Sequence, residues 1–129
     1  MVATLVCASA FTLGGTTRAS AAGRCTDAFD IAQTLVQAYA EADYDTVIEV
    51  SRTRRLEANR NAFSPRRLAR EWGLTEASLE LLRCSGSSKA TVVTMNYFTD
   101  EPKTFCVQWT INTLLGEVTR ERTLYKGSC

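Results

Sequence analysis

Between Phe105 and Asn112 apolar and polar side chains alternate without a break. Phe105, Val107, Trp109 and Ile111 fall on one side, and Cys106, Gln108, Thr110 and Asn112 on the other. A period of two describes a strand with one buried and one polar face, which no helix reproduces. Leu114-Leu115-Gly116 interrupts the pattern, and a second β-like run follows from Val118 to Tyr125. A lone hairpin is marginal in water. The rest of the chain must therefore pair with this hairpin or cover its apolar face.

The residues just upstream supply a partner strand. Thr91 to Phe98 is β-like, and Asp100-Glu101-Pro102 turns the chain toward Phe105. An odd-length loop is required to set Val93, Met95 and Tyr97 on the same face as Phe105, Val107 and Trp109. That register leaves Cys106 on the opposite, more exposed face. The final run resists such treatment. Val118 and Leu124 share a face with Arg120 and Arg122, while Tyr125 shares one with Thr119, Glu121 and Thr123. Either side brings charge inward, as a polar group in a pocket or as an edge strand protected against aggregation.

The first half of the chain is helical in pattern. Ala28, Ile31, Ala32, Leu35, Val36 and Tyr39 recur at three- and four-residue steps, with Thr26 or Asp27 as the cap and an end near Ala42. Asp43 caps a second, short helix with Tyr44, Val47 and Ile48 on its apolar side. Ser64-Pro65 opens another that ends at Trp72, before Gly73. Thr75 to Leu82 reads equally as helix or strand, and Ser85 to Ser88 as a turn. Helices followed by a meander of about four strands make an α+β chain, with N-terminal helices on a curved, mainly antiparallel sheet.

Export is expected from the ends and the cysteines. Val2 to Gly15 is apolar and uncharged, short of the roughly 20 residues a bilayer span needs. Ala19-Ser20-Ala21 and Ser20-Ala21-Ala22 offer small-residue cleavage sites, so 1–22 reads as a signal peptide and 23–129 as one domain. No Lys or Arg precedes the apolar run, and a buried N-terminal element is the rival reading. Outside that segment lie Cys25, Cys84, Cys106 and Cys129, a set that suits two disulfides in a small secreted domain. They lack the close pairs of a zinc site, and no metal is expected. Cys84 and Cys106 fall on strands two places apart, or about 9.6 Å, beyond the roughly 7 Å Cα reach of a disulfide. Of the two remaining patterns, Cys25–Cys84 with Cys106–Cys129 is preferred, because the C-terminal tail follows the strand beside Cys106.

The net charge of +1 gives no general attraction to nucleic acid or acidic lipid. Charge is instead sorted along the chain. From Cys25 to Ser51 there are six carboxylates and no Lys or Arg, whereas Arg52, Arg54, Arg55, Arg60, Arg66, Arg67 and Arg70 follow with Glu57 as the single acid. Arginine forks match carboxylate and phosphate, so Arg52, Arg54, Arg55, Arg66, Arg67 and Arg70 form a candidate interaction surface. The alternative is a solvated face that neutralises the acidic helices.

The stretch AFDIAQTLVQAYAEADYDTVIEV and the aromatic C-terminal strands resemble the nuclear-transport-factor-two-like superfamily as found in exported bacterial proteins. Departing from its commoner bacterial members, Gly116 is followed by Glu117 and Val118 rather than by a nearby tryptophan. A cystatin-like arrangement is the nearest alternative. The resemblance implies a cone in which a small apolar ligand sits between helix and sheet. The helix would offer Phe29, Leu35, Val36 and Tyr39, and the sheet Met95, Tyr97, Phe105 and Trp109. Trp72 would join the lining, with Arg120 or Glu121 as the polar group.

Cyclases and isomerases share that cone, but this chain has no histidine, the side chain best suited to proton transfer near neutral pH. Asp27, Asp30, Glu80 and Glu121 are the formal acid/base candidates. No cofactor motif is present. The leading expectation is a secreted non-enzymatic binding protein for a small ligand, and the alternative an extracellular protein-interaction or inhibitor module using the arginine surface. A cone-type enzyme comes last.

Overall fold

The computed structural model describes residues 14–59, 77–99 and 104–129, with side chains at 22–57, 77–99 and 104–129. The predicted Pro65–Trp72 helix, Trp72 itself, and Arg60, Arg66, Arg67 and Arg70 lie outside the described residues.

Three helices precede four strands: α1 Gly14–Glu41, α2 Tyr44–Val50, α3 Arg52–Asn59, β1 Ala77–Ser87, β2 Ala90–Thr99, β3 Thr104–Asn112 and β4 Glu117–Lys126. The strands form one antiparallel sheet in the order β1-β2-β3-β4, and the helices pack on one face of it. This is the expected α+β arrangement. The undecided stretch before Cys84 is strand, because the inner edge of β2 supplies a partner for Leu79 and Leu81.

Helix α1 begins earlier than the caps suggested. With helical residues already upstream, Thr26 bonds back to the Ala22 carbonyl at 3.1 Å and caps nothing. The helix ends at Ala42, whose φ of 54° is a left-handed stop. Asp43 then caps α2 as expected, accepting from the Thr46 amide at 3.3 Å and its hydroxyl at 2.7 Å. Tyr44, placed on the apolar side by its spacing, is exposed instead, and Val50 joins Val47 in the core.

The core is the expected one. Ala28, Ala32, Leu35, Val36 and Tyr39 of α1 meet Val93, Met95 and Tyr97 of β2 and Val107, Trp109 and Ile111 of β3. Burying an aliphatic side chain of this size contributes about 1.5–3 kcal/mol. Phe98 pairs with Thr104 across an odd connection, and Tyr97, Met95 and Val93 face Phe105, Val107 and Trp109. The alternation therefore sets the register as it should. Both disulfides form, Cys25–Cys84 joining α1 to β1 and Cys106–Cys129 joining β3 to the tail. One expectation fails: Cys106 is on the outer face but buried. The tail folds back over it, held where the Cys129 amide donates to Asn96 Oδ1 at 2.7 Å and Gly127 N to Thr104 O at 2.7 Å.

β4 departs from strict alternation. Ile111 faces Val118, but Thr110 faces Arg120 and Trp109 faces Glu121, so Thr119 is an extra residue; Leu124 is a second one. A bulge reverses which residues point inward beyond it. Val118 and Glu121, of opposite parity in the sequence, therefore both turn to the helices, and Arg120 and Arg122 to solvent.

Candidate functional site

Glu121 is the charge that the bulge at Thr119 brings under the helices. Its Oε1 accepts from the Tyr39 hydroxyl at 2.5 Å, and its Oε2 from the Ser51 hydroxyl at 2.6 Å. Three elements meet here. Tyr39 comes from the last turns of α1, β4 supplies Glu121, and Ser51, between α2 and α3, also makes a parallel bridge to Val118. Arg54, in the first turn of α3, donates Nε to the Tyr39 hydroxyl at 3.3 Å. Its guanidinium lies 5.9 Å over the Tyr39 ring, and Nη1 reaches Glu57 at 2.8 Å. Hydroxyl, carboxylate and guanidinium thus form one connected network.

The electrostatics follow from depth. Burial pushes the Glu121 carboxyl above its ordinary pKa, against the opposing pull of Arg54, Ser51 and Tyr39. Burial first, and then the Glu121 charge, hold the Tyr39 phenol well above its usual range. Tyr97 is raised by the same two causes. Both phenols remain proton donors throughout the neutral range. Arg54 resists its own desolvation because Tyr39 and Glu121 favour its charge.

Chemically the cluster is satisfied from within, although Glu121 itself is half-buried. Both Glu121 oxygens are occupied, and Tyr39 and Ser51 are 1% and 0% exposed. Met95, Tyr97 and Trp109 are each 0% exposed, so the expected ligand-lining surfaces are already covered by protein. Tyr97 packs edge-on to Phe105 and Trp109 with centroids 6.5 and 6.4 Å apart. Of the two expected polar groups, Glu121 faces inward and Arg120 is exposed on the outer face, away from Tyr39, Met95, Tyr97 and Trp109. Asp27, Asp30 and Glu80 are exposed and far from forming an acid/base pair.

The arginines do not make a single described surface. Arg54 is buried because the start of α3 faces Tyr39. Arg55 donates to the Ile48 and Glu49 carbonyls at 3.3 and 3.2 Å and to Glu117 at 2.7 Å, tying the end of α2 to β4. Arg52 is exposed. Sequence reasoning missed the roles of Ser51 and Glu57, since a serine between two helices and a lone glutamate within α3 carry no periodic signal.

An open groove runs along the other side of α1. It is lined by Asp30, Gln33, Thr34, Gln37, Glu41, Asp43 and neighbours on α1 and α2, with a volume of about 490 Å³. Gln37 donates to Glu41 at 2.5 Å across its floor. Among the described residues its lining carries three carboxylates and no cation. Among the described residues no helix is long and apolar enough to cross a membrane. Compared with family models, with curated proteins and with solved structures, the chain finds no match.

Proposed function

We propose that the chain is a secreted, non-enzymatic binding protein whose ligand site is the groove between α1 and α2. The observation that carries this reading is the groove's lining: Asp30, Glu41 and Asp43 around an open volume, within a stretch of chain that has no Lys or Arg. Such a surface recognises a cation, a primary amine or guanidinium on a basic peptide segment, with the amides of Gln33 and Gln37 as further partners. The internally satisfied Glu121 network then serves to fix α3 and Ser51 on the sheet. Two disulfides fit an oxidising, extracytoplasmic environment. The helices-first meander also supports a nuclear-transport-factor-two-like origin.

Calorimetric titration at low salt with an oligolysine peptide, and with oligoglutamate as the control, tests the site. Oligolysine should bind and oligoglutamate should not, and the double variant Asp30→Asn, Glu41→Gln should weaken binding. No binding of either peptide removes the reading. For export, N-terminal sequencing of secreted material should begin near Ala22 or Gly23.

One observation favours a second reading, acid/base chemistry of the cone type: the raised titration of Glu121. Its two filled oxygens weigh against a substrate there. Turnover lost in Glu121→Gln, with peptide binding unchanged, would favour the enzyme.

A further inference from the structure

Among the described residues the sheet has two edges, and they differ. At β4 the edge is obstructed: Ser51 bridges to Val118, two extra residues, Thr119 and Leu124, break the ladder where β1 has one, and Arg120, Glu121, Arg122 and Lys126 crowd it. These are the devices by which proteins keep strand edges from pairing. At β1 the edge runs over eleven residues with Glu80 and Arg83 as its charges, and Leu82 is 43% exposed in the middle.

A register shift at Leu82 gives that edge an unusual property. In a regular strand, residues three apart face opposite sides of the sheet. Here Glu80 pairs with Asn96 and Arg83 with Thr94, two residues apart on β2, so Glu80 and Arg83 share the outer face. Leu79 and Cys84 likewise share the inner face, opposite Tyr97 and Val93. Turned about a twofold axis between Leu81 and Leu82, the strand becomes its own complement. Glu80 meets Arg83 of the second copy, Ser78 meets Ser85, Leu79 meets Cys84 and Leu81 meets Leu82. The pairs flanking the axis match in face, acid to base, polar to polar and apolar to apolar, and the axis itself falls between Leu81 and the extra residue Leu82, both apolar. Without the extra residue, the same register would set Glu80 against an inward side chain.

We propose that β1 pairs antiparallel with β1 of a second copy about a twofold axis at Leu81–Leu82, joining two sheets into one of eight strands. Such an interface is isologous, so each Glu80–Arg83 pair occurs twice. Ser78, Glu80, Leu82, Arg83 and Ser85 are exposed in the single chain, Leu79, Leu81 and Cys84 half-buried, and Glu80 keeps its bond from Asn96 Nδ2 at 3.0 Å on the same face. The partner is identified by charge complementarity: a second copy presents the opposite charge at both positions in one register.

Sedimentation equilibrium of the full chain with both disulfides intact, across the micromolar range, reads the association directly. A reversible dimer is expected. Glu80→Arg and Arg83→Glu should each weaken it about tenfold, because like charges then stand opposite each other twice. The double variant, Glu80→Arg with Arg83→Glu, should restore it. Should either single variant fail to fold, judged by non-reducing mapping of Cys25–Cys84, the double variant alone decides by dimerising or not. A monomer at every concentration, or a double variant no better than the singles, overturns the proposal.

Discussion

Trp109 of β3 and Glu121 of β4 stand directly across from one another, so the largest buried side chain shares its level in the sheet with a carboxylate. Among the described residues, the Trp109 indole nitrogen is buried without a hydrogen-bond partner. A core with a charge at its edge is held by the hydroxyls and guanidinium around that charge, and its stability depends on whether the charge is present.

That dependence has a definite sign. The folded-state pKa of Glu121 lies above the ordinary value of 4.5. Its contribution to stability is therefore fully present below that ordinary value and is lost as pH rises through the folded value. Thermal unfolding of wild type and Glu121→Gln, followed from acid to neutral pH, should show the variant gaining on the wild type as pH rises. A difference independent of pH would mean the carboxyl is ordinary.

Tyr39→Phe removes one hydroxyl but leaves both Glu121 Oε1 and Arg54 Nε without it. Leaving buried polar groups unsatisfied costs about 1–3 kcal/mol each. Denaturant unfolding should show a loss in that range, and Ser51→Ala a further one. The double variant should lose less than the sum, since both hydroxyls serve one carboxylate.

The strand alternation was legible because β2 and β3 are paired on both sides, where a slip would flip every side chain. The inward face of β4 was not, since no local pattern announces the extra residues at Thr119 and Leu124, and they alone decide between Arg120 and Glu121. Arg54 was unreadable for another reason. Its burial depends on Tyr39 and Glu121 converging from distant parts of the chain, whereas its neighbours in sequence suggested a solvated basic surface. For the disulfides, strand spacing excluded Cys84–Cys106, and the tail that follows the strand beside Cys106 chose between the two pairings left.

The two disulfides should not contribute equally. Loop closure alone assigns about 4 kcal/mol to Cys25–Cys84, with its separation of 59, and about 3.5 kcal/mol to Cys106–Cys129, with 23. Paired Cys→Ser variants compared by denaturant midpoint should rank in that order. In the second variant the serine placed at position 106 should become exposed, since its cover is the tail.

Gly86 has φ of 94° beside the turn joining β1 to β2, and an added Cβ would collide with the Ala90 carbonyl oxygen. Gly86→Ala should cost at least the 1–3 kcal/mol or so of a strained backbone. A melting temperature equal to wild type would show that the hairpin can relax.

The placement of the cysteines also governs how the chain comes apart when it is nicked. A single cut between Cys25 and Cys84, or between Cys106 and Cys129, leaves two fragments that remain tethered until a reductant is added. The untethered interval runs from Cys84 to Cys106. It contains β2, one of the two strands with ladder partners on both sides, and its inner-face residues Val93, Met95 and Tyr97. Between the two tethers a cut parts the halves of the chain outright, and there the inner-face residues of β2 are shielded while Ser85, Gly86, Ser87, Lys89 and Ala90 at the turn stand exposed.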